Sequence, residues 1–201
     1  MSEVRFGRLF VALGVCAALV AGAGCRHKAR YVDPDAESRV EGTGMESRDV
    51  RAVAQQMATE LLQSPALNNT ESVPRIAILP IQNRSRFLFD ANIITTLFTD
   101  EVISTSAGRL AVVNRDLIDQ IMEERRMKSR GEVSDDGRIG ALAGVDWFLE
   151  GTIESLSAST AKAQTDYVVV RFQLTNAETS VVAWSNRYEM KKEGSWGVMY
   201  Q

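Results

Sequence analysis

Cysteine, histidine and proline are scarce in this chain, and each shortage closes off a class of function. Of 201 residues, two are cysteines (Cys16 and Cys25), one is a histidine (His27) and four are prolines. Beyond Cys25 there is no thiol, so the body of the chain has neither a disulfide framework nor a thiolate metal cluster and must hold together by its apolar core. His27 sits beside Cys25, so no nucleophile–histidine pair and no histidine metal site can form further along. Basic charge is also short, with 23 Lys and Arg against 26 Asp and Glu. That balance excludes a general nucleic-acid binder, which needs a concentrated basic face. No Walker A sequence occurs. Gly137-Arg138-Ile139-Gly140-Ala141-Leu142-Ala143-Gly144 superficially resembles a phosphate loop, but it reads as helical and lacks the Gly-x-Gly start. Its glycines serve packing and a C-cap. No cofactor, metal or small-molecule substrate is expected.

The longest apolar run, Leu9 to Ala23, is also too short: a membrane-spanning helix takes roughly 20 residues. Arg5 and Arg8 precede it, the small residues Ala21-Gly22-Ala23-Gly24 end it, and Cys25 follows at the change from apolar to polar sequence. A basic n-region, an apolar h-region and a small-residue cut site make a secretory signal. With cysteine next, the segment resembles a bacterial lipoprotein signal, cleaved between Gly24 and Cys25 with Cys25 acylated. The position three before the cysteine is Gly22, where the usual pattern has Leu, Val or Ile. A plain signal cut near Gly24 and an uncleaved anchor are the alternatives. Removing residues 1–24 leaves 177 residues with 21 basic and 25 acidic side chains, enough for one domain and a tail. Residues 25–45 are polar and read as a flexible tether, residues 46–193 as the domain, and residues 194–201 as a tail.

Within the domain, Val50, Val53, Ala54, Met57 and Leu61 have helical spacing, with Ser47 as N-cap and Ser64-Pro65 as the stop. Arg75 to Ile81 is a buried-strand run, and Gln82 to Phe89 a loop. Asp90 caps a second helix with Ile93, Ile94, Leu97, Phe98 and Val102 inward, and Gly108 ends it. Leu110 to Val113 is a strand. Asn114 caps a third helix with Leu117, Ile118, Ile121 and Met122 inward, and Ser134 caps a short fourth that Gly144 closes. Trp147 to Leu156, Tyr167 to Leu174 and Val181 to Met190 alternate as strands and form an antiparallel meander. The order implies an α/β sandwich with a mixed sheet, connected through helices early and hairpins late.

Catalytic candidates are few. The pairs Asp116/Asp119 and Asp135/Asp136 open helices, where negative charge complements the dipole, and Asp100/Glu101 belong to a polar helix face. An envelope hydrolase using paired carboxylates remains an alternative. As a binding surface, the loop Asn83-Arg84-Ser85-Arg86-Phe87-Leu88-Phe89 mixes arginine and aromatic residues, the composition of binding hot spots. Arg84, Arg86 and Phe87 are its candidate contacts; the competing reading tucks Phe87 or Phe89 under the sheet.

Taken in order, several pieces of the chain resemble the LpoB-type lipoproteins, outer-membrane activators of class A penicillin-binding proteins. They are Tyr31-Val32-Asp33-Pro34, Pro74-Arg75-Ile76-Ala77-Ile78-Leu79-Pro80-Ile81-Gln82-Asn83, Val112-Val113-Asn114-Arg115, Ala143-Gly144-Val145-Asp146, Leu149-Glu150-Gly151-Thr152-Ile153 and Val182-Ala183-Trp184-Ser185. The same core is similar to the curli-secretion lipoprotein CsgG and the N-terminal domain of TolB. The resemblance implies no catalysis. It implies a chain held in the outer membrane by acylated Cys25, with its domain in the periplasm, binding a bifunctional penicillin-binding protein and stimulating peptidoglycan synthesis. Arg26 after Cys25 shows no aspartate retention signal, which fits outer-membrane sorting. Better-known members have a long proline-rich tether, whereas this one has about twenty residues with Pro34 its one proline. An envelope-assembly or secretion lipoprotein of the CsgG-like group is the alternative within the same class.

Overall fold

The computed structural model describes residues 30–37, 42–134 and 141–195. The chain divides into Met1–Asp33 and Pro34–Gln201, and the fold belongs to the second unit.

Helix α1 (Ser47–Leu62) buries Val50, Val53, Ala54, Met57 and Leu61, the stripe its spacing predicts. Its cap differs from expectation. Glu46 is the N-cap and exchanges bonds with Asp49: its backbone N–H donates to the Asp49 carboxylate at 2.8 Å, and its own carboxylate accepts from the backbone at Asp49. This capping box frees the Ser47 hydroxyl to donate to the Pro34 carbonyl at 2.6 Å. A one-turn helix α2 (Pro65–Asn68) follows, capped by Ser64.

Strand β1 (Arg75–Ile78) is continued by β2 (Gln82–Asn83), and both pair in parallel with β4 (Trp147–Ser159). The register shifts by one residue between them, because Pro80 has no N–H to offer the ladder. Leu79 still donates to the Leu149 carbonyl, and the Ile81 N–H turns to the Thr95 hydroxyl at 3.1 Å. Gly151, opposite this bulge, has no room for a side chain: a Cβ there would lie 2.9 Å from Ile81 Cγ1 and 3.3 Å from the Phe172 ring.

Helix α3 (Asn92–Ser106) buries Ile94, Phe98 and Val102 but leaves Ile93 exposed. Asp90 still serves its start, accepting from the Asn92 N–H at 2.9 Å. The helix ends with Ala107 and Gly108 both at positive φ. Strand β3 (Ala111–Val112) pairs in parallel with β1. Helix α4 (Ile118–Ser129) buries no residue; Leu117, Ile121 and Met122, expected inward, are exposed. The expected fourth helix falls mostly on residues 135–140, outside the described residues. Ala141 to Asp146 is irregular, and its Ala143 carbonyl accepts from Arg115 at 3.0 Å.

Strands β4, β5 (Ala163–Asn176) and β6 (Val182–Ser195) form the antiparallel meander, and the sheet runs β3-β1-β4-β5-β6. This mixed sheet with helices early and hairpins late is the α/β architecture the element order implied. Leu149, Ile153, Val168, Val170, Phe172 and Leu174 point inward with Trp184, Tyr188 and Met190 and join α1 and α3 in one core, where the Phe98 and Phe172 rings stack 4.5 Å apart. Helices thus occupy one side of the meander. On the other side Phe148, Glu150, Glu154, Leu156 and Arg171 are exposed.

The packed region begins before residue 46. Gly44 is buried against the Phe87 ring, and Met45 packs on the core. The Lys192 ammonium holds this strap: it donates to the Gly44 carbonyl at 3.1 Å, bonds the Asp49 carboxylate and reaches Glu46 at 3.4 Å. Upstream, Asp35 pairs with Arg51 at 2.6 Å.

Candidate docking surface

The loop from Arg84 to Phe89 leaves β2 with little freedom. Asn83 organises it, its side-chain oxygen accepting from the Ser85 N–H (3.0 Å) and hydroxyl (2.6 Å) while its amide donates to the Phe87 carbonyl at 2.8 Å. The Arg84 N–H donates to the Ile153 carbonyl and the Arg86 N–H to the Ser155 hydroxyl, fixing the loop to β4.

This geometry separates the three expected contacts. Phe87 is buried, its ring under the strap. The Arg86 guanidinium lies 5.1 Å from the centre of that ring and 3.4 Å from the Asp166 carboxylate, so it is engaged internally. Arg84 points to the open side of the sheet, where its guanidinium donates to the Gln82 amide oxygen at 2.7 Å. Leu88 projects almost fully into solvent.

Asp166 is the anchor beneath the loop, and its side chain is wholly buried. Burial pushes its carboxyl pKa upward. The hydroxyls of Ser157 and Thr43, the Gln164 amide and the Arg86 charge outweigh that and hold it below the usual carboxylate range. One buried charge therefore ties the strap, the loop and the β4–β5 hairpin together. A second tie joins β1 to β4: Arg75 grips Asp146 through two guanidinium nitrogens at 3.1 and 2.7 Å and its own N–H at 2.8 Å. The hydrogen bonds from Arg75 lower the Asp146 pKa.

Arg84 borders an open depression of about 250 Å³ on the helix-free side of the meander, lined also by Leu79, Pro80, Gln82, Glu150, Gly151, Thr152, Glu154, Arg171 and Gln173. Register explains the grouping. Gln82, Thr152 and Arg171 align across β2, β4 and β5, and Glu150 aligns with Gln173. Arg171 donates to the Ser185 hydroxyl at 3.2 Å and the Gln173 amide at 2.7 Å, and Gln173 donates to Glu150 at 3.2 Å. Among the described residues neither Arg84 nor Arg171 forms a salt bridge, and the arginines meet amides and a hydroxyl in place of carboxylates. A volume this small and this polar does not enclose a drug-sized ligand. Two arginines set among Glu150, Glu154 and amide side chains, beside exposed apolar Leu79, have the mixed polar and apolar character of a candidate protein-docking patch. Loop composition singles out Arg84, and nothing local in the sequence groups it with Arg171. The alternation of β5 places Arg171 on the outer face, but pairing it with Arg84 requires the register across three strands.

The carboxylate pairs are dispersed. Asp100 is exposed on α3, Glu101 accepts from the Thr105 hydroxyl at 3.0 Å, and Asp116 and Asp119 are exposed around the start of α4. Asp135, Asp136, Gly24, Cys25 and His27 lie outside the described residues. No cluster of three or more His, Cys, Asp or Glu suited to a metal occurs among the described residues. No described helix is long and apolar enough to cross a membrane.

A family model described as peptidoglycan-synthase activator LpoB matches residues 49–190, about seven-tenths of the chain. The chain belongs to the LpoB family. The matched span runs from the first turn of α1 to Met190 in β6 and contains both Arg84 and Arg171. Among solved structures, the LpoB C-terminal domain from Salmonella enterica is similar at 15% identity and a TM-score of 0.45, covering 71% of this chain and 98% of that one. The corresponding Escherichia coli domain is similar at 13% identity with the same TM-score and coverages. The NMR structure of E. coli LpoB is similar at 12% identity and a TM-score of 0.41, covering 86% of this chain and 85% of that one. No curated protein matches the sequence.

Proposed function

We propose that this LpoB-family chain is an exported lipoprotein, anchored in the outer membrane through acylated Cys25, that binds and activates a class A penicillin-binding protein. Membership of the peptidoglycan-synthase activator family over residues 49–190 is the observation that carries this reading. The docking patch is the open side of the sheet around Arg84 and Arg171, whose guanidiniums exchange their present amide and hydroxyl acceptors for carboxylates of the partner. Activation needs no chemistry from this chain. Binding the synthase's active conformation more tightly than its resting one shifts the population toward activity by that difference in affinity.

Stable attachment at Cys25 takes more than one acyl chain. From Cys25 to Pro34, where the packed unit begins, nine residues reach about 30 Å at full extension. The partner must therefore span most of the remaining distance from the inner membrane.

The test is reconstituted glycan polymerisation by a purified bifunctional synthase with and without this chain, alongside an affinity measurement. Wild type raises the rate; the Arg84→Glu, Arg171→Glu double variant loses that stimulation and binds roughly 100-fold more weakly, as hot-spot losses of about 2–4 kcal/mol imply. A synthase rate untouched by the wild-type chain would refute the reading.

A further inference from the structure

We propose that helix α4 is a pairing surface for a second copy of this chain, the two helices lying antiparallel across a two-fold axis near Met122. The helix combines two features that suit a second copy. Its apolar stripe is only partly covered: Leu117 is 50% exposed, Ile121 36% and Met122 40%, Ile118 is half-buried, and no residue of α4 is fully buried. A strictly internal amphipathic helix covers that stripe with its own core.

The second feature is charge order. Asp116, Asp119, Glu123 and Glu124 occupy the amino-terminal part, and Arg125, Arg126, Lys128 and Arg130 the carboxy-terminal part. The basic part is already paired within the segment, Arg126 and Arg130 with Glu123 at 2.6 and 3.6 Å, Lys128 with Glu124 at 3.9 Å and Arg130 with Glu132 at 2.6 Å, so a copy would share these cations with their present carboxylates. Asp116 and Asp119 form no salt bridge among the described residues. This order also suits the helix dipole, but the dipole calls for no apolar residues at 117, 121 and 122. An antiparallel copy answers both features at once. The acidic end of each helix lies along the basic end of the other, Asp119 beside Arg126, while the apolar stripes meet between them. A two-fold contact is self-complementary in this way, each residue pair occurring twice. A partner of uniform charge would satisfy one end of the helix and be repelled by the other.

One helix pair is smaller than the roughly 1,600 Å² of a standard interface, so pairing is weak between free molecules and gains from confinement to a shared surface. The proposal stands apart from the synthase reading, because α4 contributes nothing to the Arg84–Arg171 patch.

The experiment places a photoreactive benzoylphenylalanine at position 122 of the full chain in cells, with position 55, on the exposed side of α1, as control. The expected product at 122 is a covalent pair of two copies, identified by mass spectrometry and missing at 55. Asp119→Arg or Arg126→Asp alone lowers that product roughly five-fold, and the double reversal restores it. Since α4 buries no side chain, these variants keep the wild-type thermal midpoint. A product joining α4 to a different protein, no product at all, or a double reversal that fails to restore it would each overturn the proposal.

Discussion

Helices α1 and α4 carry the same kind of sequence signal and have opposite fates. Each shows apolar residues at helical spacing beside a charged face. In α1, Val53, Met57 and Leu61 are fully buried; in α4 no residue is. The difference lies outside both helices. Helix α1 faces the long alternating strands β5 and β6, whose Val168, Val170, Phe172, Trp184 and Tyr188 complete its packing. Helix α4 lies in sequence between the two-residue strand β3 and β4, and among the described residues nothing buries any of its side chains. Periodicity reports that a helix has an apolar face, and the rest of the chain decides whether anything meets it.

That contrast can be broken most sharply in the packed half. Phe172→Ala removes one ring of the Phe98 stack and opens a cavity, and should cost about 3–5 kcal/mol in denaturant unfolding. Gly151→Ala tests tightness at the bulge: with Ile81 2.9 Å from the new Cβ, the expected cost is about 1–3 kcal/mol of overpacking. Acid sharpens the comparison. Asp166 and Asp146 have folded pKa values below those of the unfolded chain, so their stabilisation is present at neutral pH and is lost as pH falls below about 4. Asp166→Asn should flatten that acid decline in a pH series of thermal midpoints. The smallest effect belongs to the other region: Leu117→Ala or Ile121→Ala, at half-exposed positions, should move monomer stability by no more than about 0.5 kcal/mol.

Much of the architecture was legible because it is written locally. The alternation of Val168, Val170, Phe172 and Leu174 fixes both the strand and its inner face, and Val50 to Leu61 fixes α1 and its stripe. What escaped depends on distant partners. Strand β2 is two residues long and exists by pairing with Thr152 and Ile153. The Arg75–Asp146 clamp joins residues 71 apart in sequence. The Glu46 cap depends on Asp49 and Lys192 meeting it, while Ser47, the better cap by residue type, turns to Pro34. At the candidate docking surface, loop composition points to Arg84, Arg86 and Phe87 together. Gly44 covers Phe87 and Asp166 engages the still half-exposed Arg86, and neither influence is visible within seven residues of loop.

The strap has a mechanical consequence. A pull from the amino-terminal side meets the Ser47–Pro34 bond and the Asp35–Arg51 pair first, and then Gly44 to Glu46, where Lys192 grips from β6 and the Phe87 ring clamps from the loop that carries Arg84. A tug along the chain is thus loaded onto exposed polar contacts, then onto the Lys192 latch and the base of the Arg84 loop, and reaches the stacked aromatic core only after these have yielded.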